Sequence, residues 1–318
     1  MKSLRTTWLV AFAAGILLQG AVYLYLDQYL FAPDSGFYVS GMSEEKQQPD
    51  SDRFGQVEGS GSRYYSHDRR YMAMVTPTSV TVYDAQDKQN TQVIDLKKRE
   101  VSFFEWLPDR NLILMALYDP EASGTDDIII AQYNPETPDH ELDTPIENVP
   151  AGSKVTSMAY STATNAVYMK MKVADERYRI YRTDANYDTR RIYVQAENIG
   201  RIGVFYDEDI FFYDDADEGI MYAFNGSDSS WRTISPPGFY RLIGVDQSKA
   251  IYAAKVDSKG NAIELARGYL GVGFTTIAKL TEPVPFSQVT INYVQQREGE
   301  GMTANDSPTK KKEEHGEI

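Results

Sequence analysis

The stretch Trp106–Leu117, WLPDRNLILMAL, decides the architecture. An aromatic residue leads into Pro-Asp-Arg-Asn, and an unbroken apolar run follows from Leu112 to Leu117. Pro108 presets φ for a turn, and Asp109 suits a bond to its own backbone two residues on. The apolar run is too short for a solitary helix and is bounded by turn residues, so it reads as a fully buried strand.

Working outward, the same unit recurs. YSHDRR at Tyr65–Arg70 leads into YMAMV, and YSTATN at Tyr160–Asn165 leads into AVYMKMKV. FYDED at Phe205–Asp209 leads into IFFY, and GVDQSK at Gly244–Lys249 leads into AIYAAKV. The matching turn residues are Asp68, Asp109, Ala163, Asp207 and Gln247, spaced 41, 54, 44 and 40 residues apart. A period of about 40–45 residues is what a four-stranded propeller blade requires. The long interval is assigned to polar insertions at Asp119–Asp127 and Asn134–Pro145. Within units the strands alternate: Val167, Met169, Met171 and Val173 share one face, with Lys170 and Lys172 opposite.

WLPDRNLILM and YSHDRRYMAM resemble the repeat of bacterial TolB-like and WD40-like propellers: an aromatic, a turn with Asp-Gly and a basic residue, then an apolar strand. Arg69 and Arg110 stand where that pattern has glycine. The resemblance implies an all-β fold, a β-propeller of about five or six four-stranded blades over residues 63–297. A two-sheet sandwich is the structural alternative. Phe286–Val294, FSQVTINYV, reads as one more strand. It would complete the first blade, or join Gly36–Ser40 in a sixth, because an open edge invites aggregation.

The flanks differ from this middle. Lys2 and Arg5 precede residues 6–26, TTWLVAFAAGILLQGAVYLYL, a run without charge. About 20 apolar residues match the hydrocarbon core of a bilayer. Trp8, Tyr23 and Tyr25 suit its two interfaces. Residues 1–5 are then cytoplasmic and the rest lies outside, by the excess of positive charge on the N-terminal side. No small-residue cleavage site follows the run, which favours an uncleaved signal anchor over a cleaved signal peptide. Residues 27–62 read as an extracytoplasmic linker and residues 298–318 as a disordered charged tail. The expected location is a bacterial cytoplasmic membrane, single-pass, with the membrane held through residues 6–26.

Chemistry is sparse. The absence of Cys excludes disulfides, thiolate metal sites and cysteine nucleophiles. A net charge of −14 disfavours nucleic acid. His67, His140 and His315 are not at metalloprotease spacing, and neither G-x-S-x-G nor a P-loop is present. No catalytic residue and no cofactor is assigned, and the chain is read as a non-enzyme, with a divergent propeller enzyme as the remote option.

Two clusters in the fourth unit stand out. Asp207, Asp209, Asp214, Asp215 and Asp217 are candidate ligands for a hard cation such as Ca²⁺, which takes six to eight oxygens. The plainer reading makes them exposed turns flanking Ile210–Tyr213. Tyr222, Trp231 and Tyr240 are candidate ligand or partner contacts within an aromatic-rich stretch, whose plainer reading is packing between blades. The arginines Arg177, Arg179, Arg182, Arg190 and Arg191 are expected in cross-strand ion pairs. The function expected is a protein-interaction or sensing module at the cell envelope, its partner a membrane or envelope protein. Binding of envelope glycan or a divalent cation is the alternative.

Overall fold

A computed structural model describes residues 53–54, 57, 60–138 and 142–305. Residues 6–26 and 36–40 lie outside them, and so do His140 and His315. Among the described residues no helix is long and apolar enough to cross a membrane.

Among the described residues twenty strands form five antiparallel four-stranded sheets, each a meander in sequence order. Sheet one holds β1 (Ser62–Tyr65), β2 (Tyr71–Thr76), β3 (Ser79–Asp84) and β4 (Thr91–Ile94). Sheet two holds β5 (Glu100–Trp106), β6 (Ile113–Tyr118), β7 (Thr125–Tyr133) and β8 (Leu142–Pro150). Sheet three holds β9 (Lys154–Ser161), β10 (Ala166–Ala174), β11 (Arg177–Thr183) and β12 (Thr189–Ile192). Sheet four holds β13 (Ile199–Val204), β14 (Ile210–Asp215), β15 (Ile220–Asn225) and β16 (Ser230–Thr233). Sheet five holds β17 (Tyr240–Val245), β18 (Ile251–Val256), β19 (Asn261–Tyr269) and β20 (Gly273–Pro285). The recurring turn joins the first strand of each sheet to the second. This is a β-propeller with one repeat per blade.

The unbroken apolar run now has its reason. Ile113, Met115 and Leu117 of β6 pack toward sheet one, while Leu114, Ala116 and Tyr118 pack toward sheet three. A second strand buried on both faces is apolar at every position. Sheet four repeats this: Phe211 and Tyr213 face sheet three, and Phe212 faces sheet five. Arg69, at the glycine position of the repeat, has φ +59°, and Asn165 and Lys249 in the corresponding turns have φ +53° and +63°. The left-handed turn is therefore kept without glycine, at a cost of about 1 kcal/mol or more per residue.

Four apolar clusters join successive sheets, and a fifth covers the far face of sheet five. Its cover is not a strand. Residues 286–294, expected as one, form a 3-10 turn at Phe286–Gln288 and the start of helix α1 (Ile291–Asn305). Thr290 Oγ1 accepts the Tyr293 N–H and caps α1, which favours a helix over continued pairing. Val289 and Val294 are fully buried on sheet five. The helix also corrects the tail: residues 298–305, expected to be disordered, continue α1. The interval Asn134–Pro145, taken as an insertion, enters β8 at Leu142.

Candidate interaction site

The five aspartates of the fourth unit are not gathered around one point. Asp207 pairs with Lys249 at 3.0 Å, and Glu208 pairs with the same ammonium. Asp209 lies between sheets three and four, where Arg182 Nη2 donates to it at 2.6 Å and the Tyr168 hydroxyl at 2.5 Å. Asp214 and Asp215 close strand β14 and are buried; the exposed turn expected there starts only after them. Asp214 pairs with Arg241 and accepts the Arg201 N–H at 2.7 Å. A Cβ on Gly200 would lie 2.3 Å from that carboxylate, so the close approach needs glycine. Asp215 accepts the N–H groups of Asp217 and Glu218, and Asp217 accepts from Asn198 Nδ2 at 2.7 Å. Among the described residues no three His, Asp or Glu side chains are placed to hold a metal ion.

The arginines meet the expectation of ion pairs in part: Arg177 pairs with Glu197 at 3.1 Å. Arg182 lies directly across from Arg190 on the neighbouring strand, a repulsive placement. Arg182 instead reaches across to Asp209 of the next sheet, and Arg190 Nη2 reaches the Gly226 carbonyl at 3.4 Å. Both contacts join sheets three and four.

The aromatics divide. Tyr240 is buried between sheets four and five, and its hydroxyl donates to Glu264 at 2.9 Å. Tyr222 stacks on Tyr213 with ring centroids 5.1 Å apart. Trp231 stands edge-on to Tyr222 at 6.3 Å and is 46% exposed on β16, the free edge of sheet four. All four residues of β16 are exposed. On the corresponding edge of sheet three, Tyr193 is 77% exposed beneath the Arg191 guanidinium. Trp, Tyr and Arg are residue types enriched where protein partners anchor, and each of these edges exposes one or more of them.

One buried group escaped the reading of the sequence. Glu105 on β5 is 7% exposed and lies on the face turned to sheet three, toward the Tyr160 hydroxyl of β9. Burial pushes its carboxyl up to about 8, against a modest downward pull from that hydroxyl. Its signal was a lone acid, Phe-Glu-Trp, inside an otherwise apolar strand end.

No family model matches the chain, and no curated protein matches its sequence. Solved structures do resemble it. Dipeptidyl peptidase 4 of Porphyromonas gingivalis is 11% identical, with a TM-score of 0.51 over 72% of this chain and 40% of that one. TolB from Acinetobacter baumannii is 12% identical, with a TM-score of 0.42 over 70% of this chain and 55% of that one. A TolB structure from Agrobacterium tumefaciens is 13% identical, with a TM-score of 0.43, covering 71% of this chain and 82% of that one. The chain thus spans about half the length of the first two. These likenesses concern the fold.

Proposed function

We propose that this chain is a membrane-anchored, extracytoplasmic propeller that acts as a non-enzymatic protein-interaction module at a bacterial cell envelope. Residues 6–26 are the anchor, with the N-terminus in the cytoplasm. The observation that supports this reading is Trp231, a large aromatic half exposed on a fully exposed edge strand while most aromatics of its sheet are buried. Leaving such a ring in water forgoes about 2–3 kcal/mol of burial, which a partner would recover. Tyr222 braces it, and Arg191 and Tyr193 on sheet three offer a second exposed aromatic edge. The pairing of Asp207, Asp209, Asp214, Asp215 and Asp217 with a base, a backbone N–H or a side-chain amide weighs against a cation as the ligand of this sheet.

The test is photo-cross-linking in native membranes, with a reactive amino acid replacing Trp231 in the full chain and, as control, replacing the exposed Lys259. One envelope protein captured from Trp231 and not from Lys259 is the expected result. Glycan fragments captured instead would move the reading to an envelope-glycan binder. Equal capture from both positions would overturn it.

A further inference from the structure

The seams between sheets are not equally filled. Tyr168 stacks on Phe211 at 4.4 Å between sheets three and four, and Phe205 meets Phe212 at 4.6 Å between sheets four and five. The seam between sheets one and two gathers its rings, Tyr64, Tyr71, Phe104 and Trp106, on β1, β2 and β5. Beyond them it holds Ile94, Leu96, Met115, Leu117, Ile129 and Ala131, and these leave a cavity of about 150 Å³. The small Ala131 lies directly across from Met115. Protein interiors are otherwise close-packed, and an apolar cavity of this size takes a benzene-sized molecule.

The polar side of the cavity comes largely from one short connection. Asp95–Arg99 joins β4 to β5 and also walls a second, more open hollow of about 480 Å³. Ile94, Asp95, Leu96 and Arg99 line both, and Val93, 73% exposed, lines the second. The connection is strained. The Arg99 N–H donates to the Leu96 carbonyl at 2.9 Å, closing a turn whose central residues, Lys97 and Lys98, have φ +53° and +64°. Turns of this kind favour Asn-Gly, and side chains held in the left-handed region recur at ligand clamps.

The acids here are engaged, and the bases are not all so. Asp143 pairs with Lys97 at 2.7 Å, Asp95 accepts the Lys97 N–H at 2.9 Å, and Glu100 accepts the Tyr118 hydroxyl at 2.5 Å. Arg99 donates through Nη1 to the Asp127 carbonyl at 2.6 Å and to Asp126 at 3.4 Å. Among the described residues its Nε and Nη2 have no hydrogen-bond partner, and Lys98 has neither hydrogen bond nor ion pair.

We propose that the junction of sheets one and two binds a small organic acid with an apolar body, about the size of benzoate. The body fills the cavity beside Ala131, and the carboxylate takes the unused donors of Arg99, with Lys98 next in the chain. Apolar walls supply the affinity and one placed charge selects the acid, the usual division in small-molecule sites. The fork of a guanidinium matches a carboxylate. This site is separate from the partner surface on sheets three and four, and its test is independent of that reading.

The test is a titration of the full chain in lipid nanodiscs with benzoate, followed by the methyl resonance of Met115, which lines the cavity. Met221, buried between sheets four and five, is the control. Benzoate is expected to move the Met115 resonance saturably and to leave that of Met221 in place. Benzyl alcohol, the same ring without the charge, is expected to bind at least about tenfold more weakly. Ala131→Leu fills the cavity and is expected to remove the response. Arg99→Gln removes the charge and is expected to bring benzoate down to the level of benzyl alcohol. Asp126 keeps the N–H groups of Asp119 at 2.9 Å and Asp127 at 2.7 Å in that variant, which therefore decides the matter should Ala131→Leu fail to fold. The proposal is overturned if Met115 shows no saturable response, or if Met221 responds equally. It is also overturned if either variant binds benzoate as the wild type does, or if benzyl alcohol binds as well as benzoate.

Discussion

The seam between sheets three and four and the seam between sheets two and three each bring a tyrosine of one sheet near a carboxylate of the next. In the first, Tyr168 donates to Asp209 and Arg182 completes the group with a forked contact at 2.6 and 3.1 Å. In the second, Tyr160 and Glu105 have no guanidinium. The tyrosine is raised in both seams, chiefly by burial. The difference is one counter-charge beside the acid, a guanidinium in the first seam and none in the second.

The comparison is broken most severely by Arg182→Ala. It strips the counter-charge from the third seam and leaves the largely covered Asp209 side chain with the Tyr168 hydroxyl. Denaturant unfolding is expected to show a loss of roughly 3 kcal/mol or more, and Arg182→Lys should recover only part of it.

The pH profile sharpens it next. The Glu105 carboxyl is raised from 4.5 to about 8 in the folded chain. Below the lower value both states hold the proton. Between the two, the unfolded chain releases it and the folded chain keeps it, so stability falls by about 1.4 kcal/mol per pH unit and levels off above the folded value. Melting temperatures measured across this window should decline in the wild type and lie flatter in Glu105→Gln. Equal slopes in the two proteins would remove Glu105 as the cause.

Tyr168→Phe is the milder cut in the other seam. Asp209 keeps Arg182, so about 1 kcal/mol of stability is expected to go, with no change in pH profile. A pH profile that shifts with Tyr168→Phe would mean that the two seams are not distinguished by the guanidinium. The smallest effect belongs to Trp231→Ala, which touches neither seam. Stability should stay within about 0.5 kcal/mol of wild type while capture of a partner is lost.

The fold was largely legible because both of its signals are local. Turn chemistry at Asp68 and Asp109 and the period between them placed the first-to-second strand turns. The unbroken run Leu112–Leu117 and the aromatic run Phe211–Tyr213 announced strands covered on both sides. The C-terminal segment misled because FSQVTINYV alternates as a strand does, whereas the deciding feature is the single cap at Thr290, together with a sheet face that needed covering. The site was less legible for a related reason. Asp207–Asp217 form a cluster in sequence, yet strand β14 and its turns direct those carboxylates to different partners, and the bases that hold them come from units on either side: Arg182, Arg241 and Lys249. Sequence proximity cannot report a contact made between blades. Glu105 carried a visible signal, an acid in an apolar strand end, but its meaning lay in what β9 did not place opposite it.

The capping of sheet five by residues 286–294 has a consequence for biogenesis. Each earlier sheet gains its cover when the following repeat emerges from the ribosome. Among the described residues the cover of sheet five is the segment after β20, and Ile243, Tyr252, Ala254 and Leu265 wait on Val289 and Val294. Any nascent or prematurely ended chain that stops before those residues displays an unsealed apolar surface, which folding helpers bind and proteases attack. The turn and helix after β20 are thus the seal that makes sheet five safe to expose to the cell.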